Sequence, residues 1–169
     1  MSSREHAQFI ASWDHEAKST VKLLGSLPAD KYDFRADPGA RSIGEMAWHL
    51  AEIDAYIGGG VANGQIDFMT KLPGLERPRT IGELAPGYER VHATFAAKVK
   101  AMKPEEMDAM MPFMGREMRK GDVLWNVLLH HAIHHRGMLA MMCRMAGGIA
   151  PGLYGPNREE FAAMQAQSR

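Results

Sequence analysis

Apolar residues recur every three or four positions in four separate stretches of this chain, and no stretch alternates them with polar residues along a β-branched run. The first spacing lines one face of a helix; alternation would line one face of a strand. The chain is therefore expected to be built from helices that each bury one stripe against the others. Phe9, Trp13, Ala17, Thr20, Val21 and Leu24 predict a helix from about Arg4 to Leu27, closed by Pro28. Ile43, Met46, Ala47, Leu50, Ile53 and Ile57 predict a second, opened by the capping box Ser42-Ile-Gly-Glu45 and weakened or ended by Gly58-Gly-Gly60. Thr80-Ile-Gly-Glu83 repeats the capping-box pattern and opens a third, running to about Met102 with Pro86 near its start. Asp122 is the expected N-cap of a fourth, which ends near Ala146 at Gly147-Gly148.

The remaining segments read as connections. Ala29 to Arg41 and Asn63 to Pro78 carry the Pro and Gly of irregular links. Pro104 to Lys120 shows no clean period and is expected to cross the bundle, with Phe113 and methionines covering one end. A short amphipathic helix, Arg158 to Gln167, is expected after Pro151-Gly152. The reading is an all-α, antiparallel four-helix bundle with a short C-terminal helix, one domain over residues 1–169.

Charge and composition exclude several roles. Twenty basic residues balance twenty acidic ones, which argues against nucleic acid or an anionic membrane as the main partner. The lone Cys143 can form no internal disulfide. No apolar run approaches the ~20 residues that span a bilayer, and the polar start lacks the apolar core of a signal peptide. A cytoplasmic location is the expectation. Walker loops, dinucleotide fingerprints and serine-nucleophile motifs are missing from the sequence.

The chemistry concentrates in Leu128-Leu-His-His-Ala-Ile-His-His-Arg-Gly137. Its four histidines form two pairs spaced four apart, His130/His134 and His131/His135, and each pair shares a helix face. The face of His131 and His135 continues through Leu124, Val127, Leu128, Met138, Leu139 and Met142, all apolar. The face of His130 and His134 includes Asn126 and Gly137. His131 and His135 are thus the pair expected to point inward, where a shared cation would satisfy two buried imidazoles; His130 and His134 are assigned to solvent, an interface or the surroundings of the site. Two histidines do not make a tight divalent site. His49 lies at the edge of the apolar face of the second helix, about 100° round from Leu50, and spacing alone leaves it between ligand and ordinary residue.

Several motifs stand in one order along the chain: Ser42-Ile-Gly-Glu-Met-Ala-Trp-His49-Leu, then Asp122-Val-Leu-Trp, then His131-Ala-Ile-His-His135-Arg-Gly137. Arg144, Gly147 and Pro151-Gly-Leu-Tyr-Gly-Pro156 follow. This combination resembles the DinB family, bundles that include bacterial thiol-dependent S-transferases and mycothiol-dependent maleylpyruvate isomerase. The resemblance implies that His49, His131 and His135 are three metal ligands. It also shows a departure: many members carry Gln after Arg-Gly, where this chain has Met138.

Three protein ligands leave open positions, the arrangement of catalytic zinc. The expected cofactor is one divalent ion, zinc or nickel first and iron or manganese after them, with a low-molecular-weight thiol as a co-substrate implied by the resemblance. His131-x-x-x-His135 lacks the glutamate of a zincin; Glu52, one turn beyond His49, is the candidate catalytic acid–base or ligand-orienting group. Arg136 is a candidate for an anionic ligand or an ion pair to a neighbouring helix or chain. Cys143 and the methionines read as packing residues. The expected function is a thiol S-transferase or hydrolase acting on a small electrophile; the alternative is a non-catalytic, stress-related protein that binds metal or a small ligand. Homodimerisation is expected from the family habit and the Met-rich stretch from Met107 to Met118.

Overall fold

The computed structural model describes residues 2–168. Helix α1 (Ser2–Leu24) leads through an irregular connection to α2 (Ile43–Ile53), which runs on through a π-helical segment, Asp54–Gly58, into α3 (Gly59–Asn63). After a second connection, α4 (Ile81–Lys100) is followed by a 3-10 turn, Pro104–Asp108, and a hairpin of β1 (Met110–Phe113) and β2 (Arg116–Arg119). A continuous final bundle helix comprises α5 (Lys120–Asp122), a π-helical segment, Val123–Leu129, and α6 (His130–Met145). The C-terminal α7 spans Arg158–Gln167. Helix α1 packs on α4 and α6, and α2 packs on the same two, so four rods close round one core. Phe9, Trp13, Leu50, Leu84, Leu124 and Leu128 lie at its centre, almost wholly buried. Among the described residues no helix is long and apolar enough to cross a membrane.

The ends of the helices follow the expected chemistry in places. Ser42 and Glu45 form a reciprocal box: the Glu45 amide donates to Ser42 Oγ at 3.2 Å, and the Ser42 amide donates to Glu45 Oε2 at 2.8 Å. The final bundle helix stops at Gly147, whose φ of +84° closes a turn in which the Gly148 amide donates to the Cys143 carbonyl at 2.9 Å. Asn157 caps α7 with a further box through Glu160, a pattern unread in the sequence.

Four expectations are corrected. Gly58-Gly-Gly60 does not end the second helix, which continues to Asn63. Here glycine is needed for close approach: a Cβ on Gly58 would meet Trp13 at 2.9 Å, and one on Gly59 would meet Phe95 at 2.7 Å. The tertiary packing gained by letting these rings approach outweighs the low helix propensity of glycine. Thr80 and Glu83 form no capping box; the Thr80 hydroxyl donates to the Glu83 carboxylate at 2.6 Å instead of accepting from the helix. Asp122 is not an N-cap, because the helix starts at Lys120 and the Asp122 carboxylate accepts from Arg119 at 3.1 Å.

The segment after Pro104 is likewise no plain crossing but a two-stranded hairpin in register Met110↔Arg119 to Phe113↔Arg116. Its turn, Met114-Gly115, has φ of +48° and +82°, the paired left-handed geometry of a tight hairpin. Met107, Met111 and Phe113 cover the core as expected, while Met110 and Met114 remain exposed. Arg119 ties this hairpin to α1 through Glu5, with contacts of 2.7 and 2.9 Å.

Candidate metal centre

Helix α2 presents His49 and α6 presents His131 and His135 to a common point. One ring nitrogen from each lies within 4.8 Å of the others, and the ring centroids of His131 and His135 are 4.4 Å apart. His49 Nε2 and His131 Nε2 approach to 3.4 Å. On its other side, His49 Nδ1 is 3.3 Å from Glu52 Oε2. An ionised carboxylate can only accept, so Nδ1 carries the proton and Nε2 presents its lone pair to the cluster. His135 Nδ1 is buried with no hydrogen-bond partner, the one such side-chain atom found among the described residues. An imidazole short of a partner, within a group of imidazoles, is the condition that a shared cation relieves.

The electrostatics agree with such a role. Burial, then the neighbouring imidazoles and Arg41, lower the pKa of His131 and push that of His135 down to about 4. Both rings are therefore neutral near pH 7 and keep lone pairs for a cation. The donor set, three imidazoles with a carboxylate behind one of them, fits a divalent ion of the zinc or nickel kind. His130 and His134 are exposed on the outer side of α6, as their position 100° round the helix requires.

The triad adjoins an open cleft of about 660 Å³, lined by His135, Glu52, Met138 and a set of arginines. Arg35, Arg41 and Arg77 all reach it, and no spacing signal in the sequence pointed to them, because they lie on two connections rather than on a helix face. Glu45 is held at 2.7 Å by Arg35 and 3.6 Å by Arg77. Met138 stands half-exposed at this cleft.

The comparisons agree with the order of motifs. The DinB family model matches residues 1–168. This chain belongs to the DinB family. A Bacillus subtilis (strain 168) relative, described as the uncharacterized protein YrdA, is 30% identical over 155 residues, covering 91% of this chain and 90% of that protein. A DinB-like protein from Bacillus cereus ATCC 10987 has a crystal structure similar to this one, with TM-score 0.73 and 29% identity over 86% of this chain and 95% of that one. The DinB-like protein YjoA of Bacillus subtilis also gives TM-score 0.73, at 18% identity, covering 89% of this chain and 99% of that one; at that identity the likeness speaks for the fold.

Two further polar residues of this DinB protein sit apart from the triad. Arg136 is buried and turned to α1, where it pairs with the Glu16 carboxylate, donates to the Glu16 carbonyl at 2.7 Å and meets the Tyr154 hydroxyl. Its donors are spent on the fold, which removes it as an anion-binding residue. Asp54 has no exposed surface, yet it accepts from Trp13 Nε1 at 3.1 Å and from His92 Nδ1 at 2.8 Å. His92 Nε2 stands 3.3 Å from Asp14, which is itself paired with Lys100 at 2.9 Å. Although burial alone would lower the His92 pKa, the Asp54 and Asp14 carboxylates raise it. In the sequence His92 has no second histidine at ligand-pair spacing, which reads as a surface or ordinary packing residue. The readable signal was Asp54, an acid on an apolar helix stripe that must find a buried partner. His6 is the ordinary case, its Nε2 2.8 Å from the Val99 carbonyl, and the Cys143 thiol is buried, with its pKa raised by burial.

Proposed function

We propose that this protein is a metal-dependent enzyme acting on a small electrophilic substrate, transferring a low-molecular-weight thiol to it or hydrolysing it. The observation that carries the reading is the convergence of three imidazoles from two helices beside an open cleft. His49, His131 and His135 would hold one divalent ion, zinc or nickel ahead of iron or manganese. Such an ion, with positions left open, supplies Lewis acidity and lowers the pKa of a thiol or water beside it. Glu52 has two tasks in this scheme: it fixes the tautomer of His49, and, half-exposed at the cleft, it accepts the proton that a thiol or water gives up. The sulfur or oxygen then forms its bond to the electrophilic carbon, and the leaving group departs with the electron pair of the bond that breaks. Met46 and Met138 offer apolar walls to the electrophile.

The test is turnover of a panel of thiols and electrophiles, and of hydrolysable substrates, by metal-loaded protein against the His131→Ala variant. Activity lost in the variant supports the proposal; equal activity in both overturns it. One observation favours a second reading, non-catalytic binding of metal or a small ligand: Met138 stands at the cleft in the position where many DinB members carry Gln. Full metal retention with no turnover of any thiol or water substrate would decide for it.

In this reading the protein works in the cytoplasm as a homodimer. The support for the dimer is the exposure of Met141 and Met145 on α6 and of Phe161 and Met164 on α7. Light scattering of wild-type protein and of Met141→Glu tests the assembly; a wild-type monomer would refute it.

A further inference from the structure

Among the described residues, Arg41 is the cation of the cleft without an ion-pair partner. It lines the same wall as His135 and Glu52, and its charge reaches both His131 and His135. Arg35 and Arg77 share Glu45 between them, and Glu52 is engaged with His49. Among the described residues, Arg41 makes neither an ion pair nor a side-chain hydrogen bond. The backbone on either side of it is nevertheless held. The Ala40 amide donates to the Asp37 carbonyl at 3.0 Å, the Gly39 amide donates to Asp37 Oδ1 at 2.8 Å, and the Arg35 guanidinium donates to the Ala40 carbonyl. Immediately after Arg41, Ser42 is locked as the cap of α2. The guanidinium is thus carried on an anchored stem beside the triad, with its fork of donors free.

Charge balance gives that fork a purpose. Three neutral imidazoles would leave a divalent ion its full charge, and the cleft adds three arginines against two carboxylates. A thiol that loses its proton cancels only part of this excess. A second negative group on the entering molecule would cancel more, and a carboxylate matches the planar fork of a guanidinium through two parallel hydrogen bonds. We propose that the ligand entering this cleft carries a carboxylate, or an anion of that size, which pairs with Arg41 while its reactive end lies at the triad. The inference rests on the reading that the triad holds a divalent ion, and it narrows the substrate class to acidic molecules.

Cobalt(II)-loaded full-length protein tests it, because the visible bands of the ion report what approaches the triad without requiring turnover. The probes are 3-mercaptopropionate, 2-mercaptoethanol and propionate, titrated into wild type, Arg41→Gln and Arg41→Lys, with affinities corrected for the different thiol acidities. Wild type is expected to bind 3-mercaptopropionate about 2- to 5-fold more tightly than 2-mercaptoethanol, the upper part of the range of one partly exposed charge pair. Arg41→Gln should bring that ratio close to one by weakening the acidic thiol alone, and Arg41→Lys should restore part of it. A wild-type ratio near one overturns the proposal. So does a ratio that persists in Arg41→Gln, and propionate binding as tightly as the acidic thiol would mean that the carboxylate itself goes to the ion. Absence of cobalt bands in wild type would instead bring down the metal reading on which the proposal stands. Arg41 is exposed in a connection, so folding of the variants, checked by circular dichroism, should match wild type.

Discussion

His49 Nε2 and His131 Nε2 stand 3.4 Å apart although 82 residues separate them in sequence. Two neutral imidazoles facing each other can share one proton at most, and the third member of the group, His135, has a buried Nδ1 with no hydrogen-bond partner. A cation is the simplest partner for all three. Substitution of His49, His131 or His135 by Ala is therefore expected to reduce metal content after a chelator wash, while the double variant His130→Ala/His134→Ala keeps it. Elemental analysis decides. Wild-type stoichiometry in two of the three single variants would sink the assignment.

Glu52 provides a graded test of the same site. Its Oε2 lies 3.3 Å from His49 Nδ1, so its loss frees the ring to rotate and to change tautomer. Glu52→Ala should weaken metal affinity about 10-fold, the lower end of what removing a ligand's hydrogen-bond partner costs. Glu52→Gln keeps an acceptor oxygen and should lose less. Competition against a chromophoric chelator measures both, and unchanged affinity in Glu52→Ala would leave the residue a solvated carboxylate.

Two histidines should tilt stability with pH in opposite directions. For His92 the folded pKa is raised, so its contribution is fully present below the unfolded value of about 6.5 and is lost as pH rises through the higher folded value. For His135 the folded pKa is pushed down to about 4. In metal-free protein its contribution is present above about 6.5 and is lost as pH falls from there towards the folded value. Urea unfolding from pH 4 to 9 should show His92→Gln flattening the alkaline limb and His135→Gln the acid limb. Removing His92 also leaves the buried Asp54 with the neutral Trp13 Nε1–H in place of a basic partner, which should cost roughly 3 kcal/mol at pH 6. A His92→Gln variant as stable as wild type at that pH would refute the buried pair.

The helices and the inward histidine pair were legible because both are local: period and i,i+4 spacing are written within twenty residues of sequence, whereas of the caps expected at Ser42, Thr80 and Asp122 only the Ser42 box forms. His49 was legible only in part. Its place at the edge of a face left two roles open, and only the order of motifs around it grouped it with His131 and His135, beside which the fold brings it. What could not be read depends on contacts between distant segments. Arg41 gains its meaning from a connection folding beside α6. His92 gains its meaning from Asp54, 38 residues away. The π-helical segments at Asp54–Gly58 and Val123–Leu129 also shift register between the halves of each long helix. As a result, Leu129 is buried although a constant 3.6-residue period carries the stripe through Val127 and Leu128.

Those π-helical segments pack against each other: a Cβ on Gly58, in the first, would meet Leu128 of the second at 3.2 Å, and the glycines that follow pack closely on other neighbours. A Cβ on Gly60 would sit 2.5 Å from Ile66 Cγ1, 2.9 Å from Ile66 Cα and 3.0 Å from the Gln65 carbonyl oxygen. Two of those atoms are backbone, so the connection itself would have to move. Gly60→Ala should therefore destabilise by about 1–3 kcal/mol despite the better helix propensity of alanine. Gly137 is the internal control, a helical glycine on α6 with nothing within 4 Å of its virtual Cβ. There propensity acts unopposed, and Gly137→Ala should stabilise by roughly 0.5–1 kcal/mol. Urea midpoints for the two variants measure the contrast. Gains of similar size in both would mean that Gly60 has room for a side chain, and that the run Gly58-Gly-Gly60 is not held glycine-rich by packing.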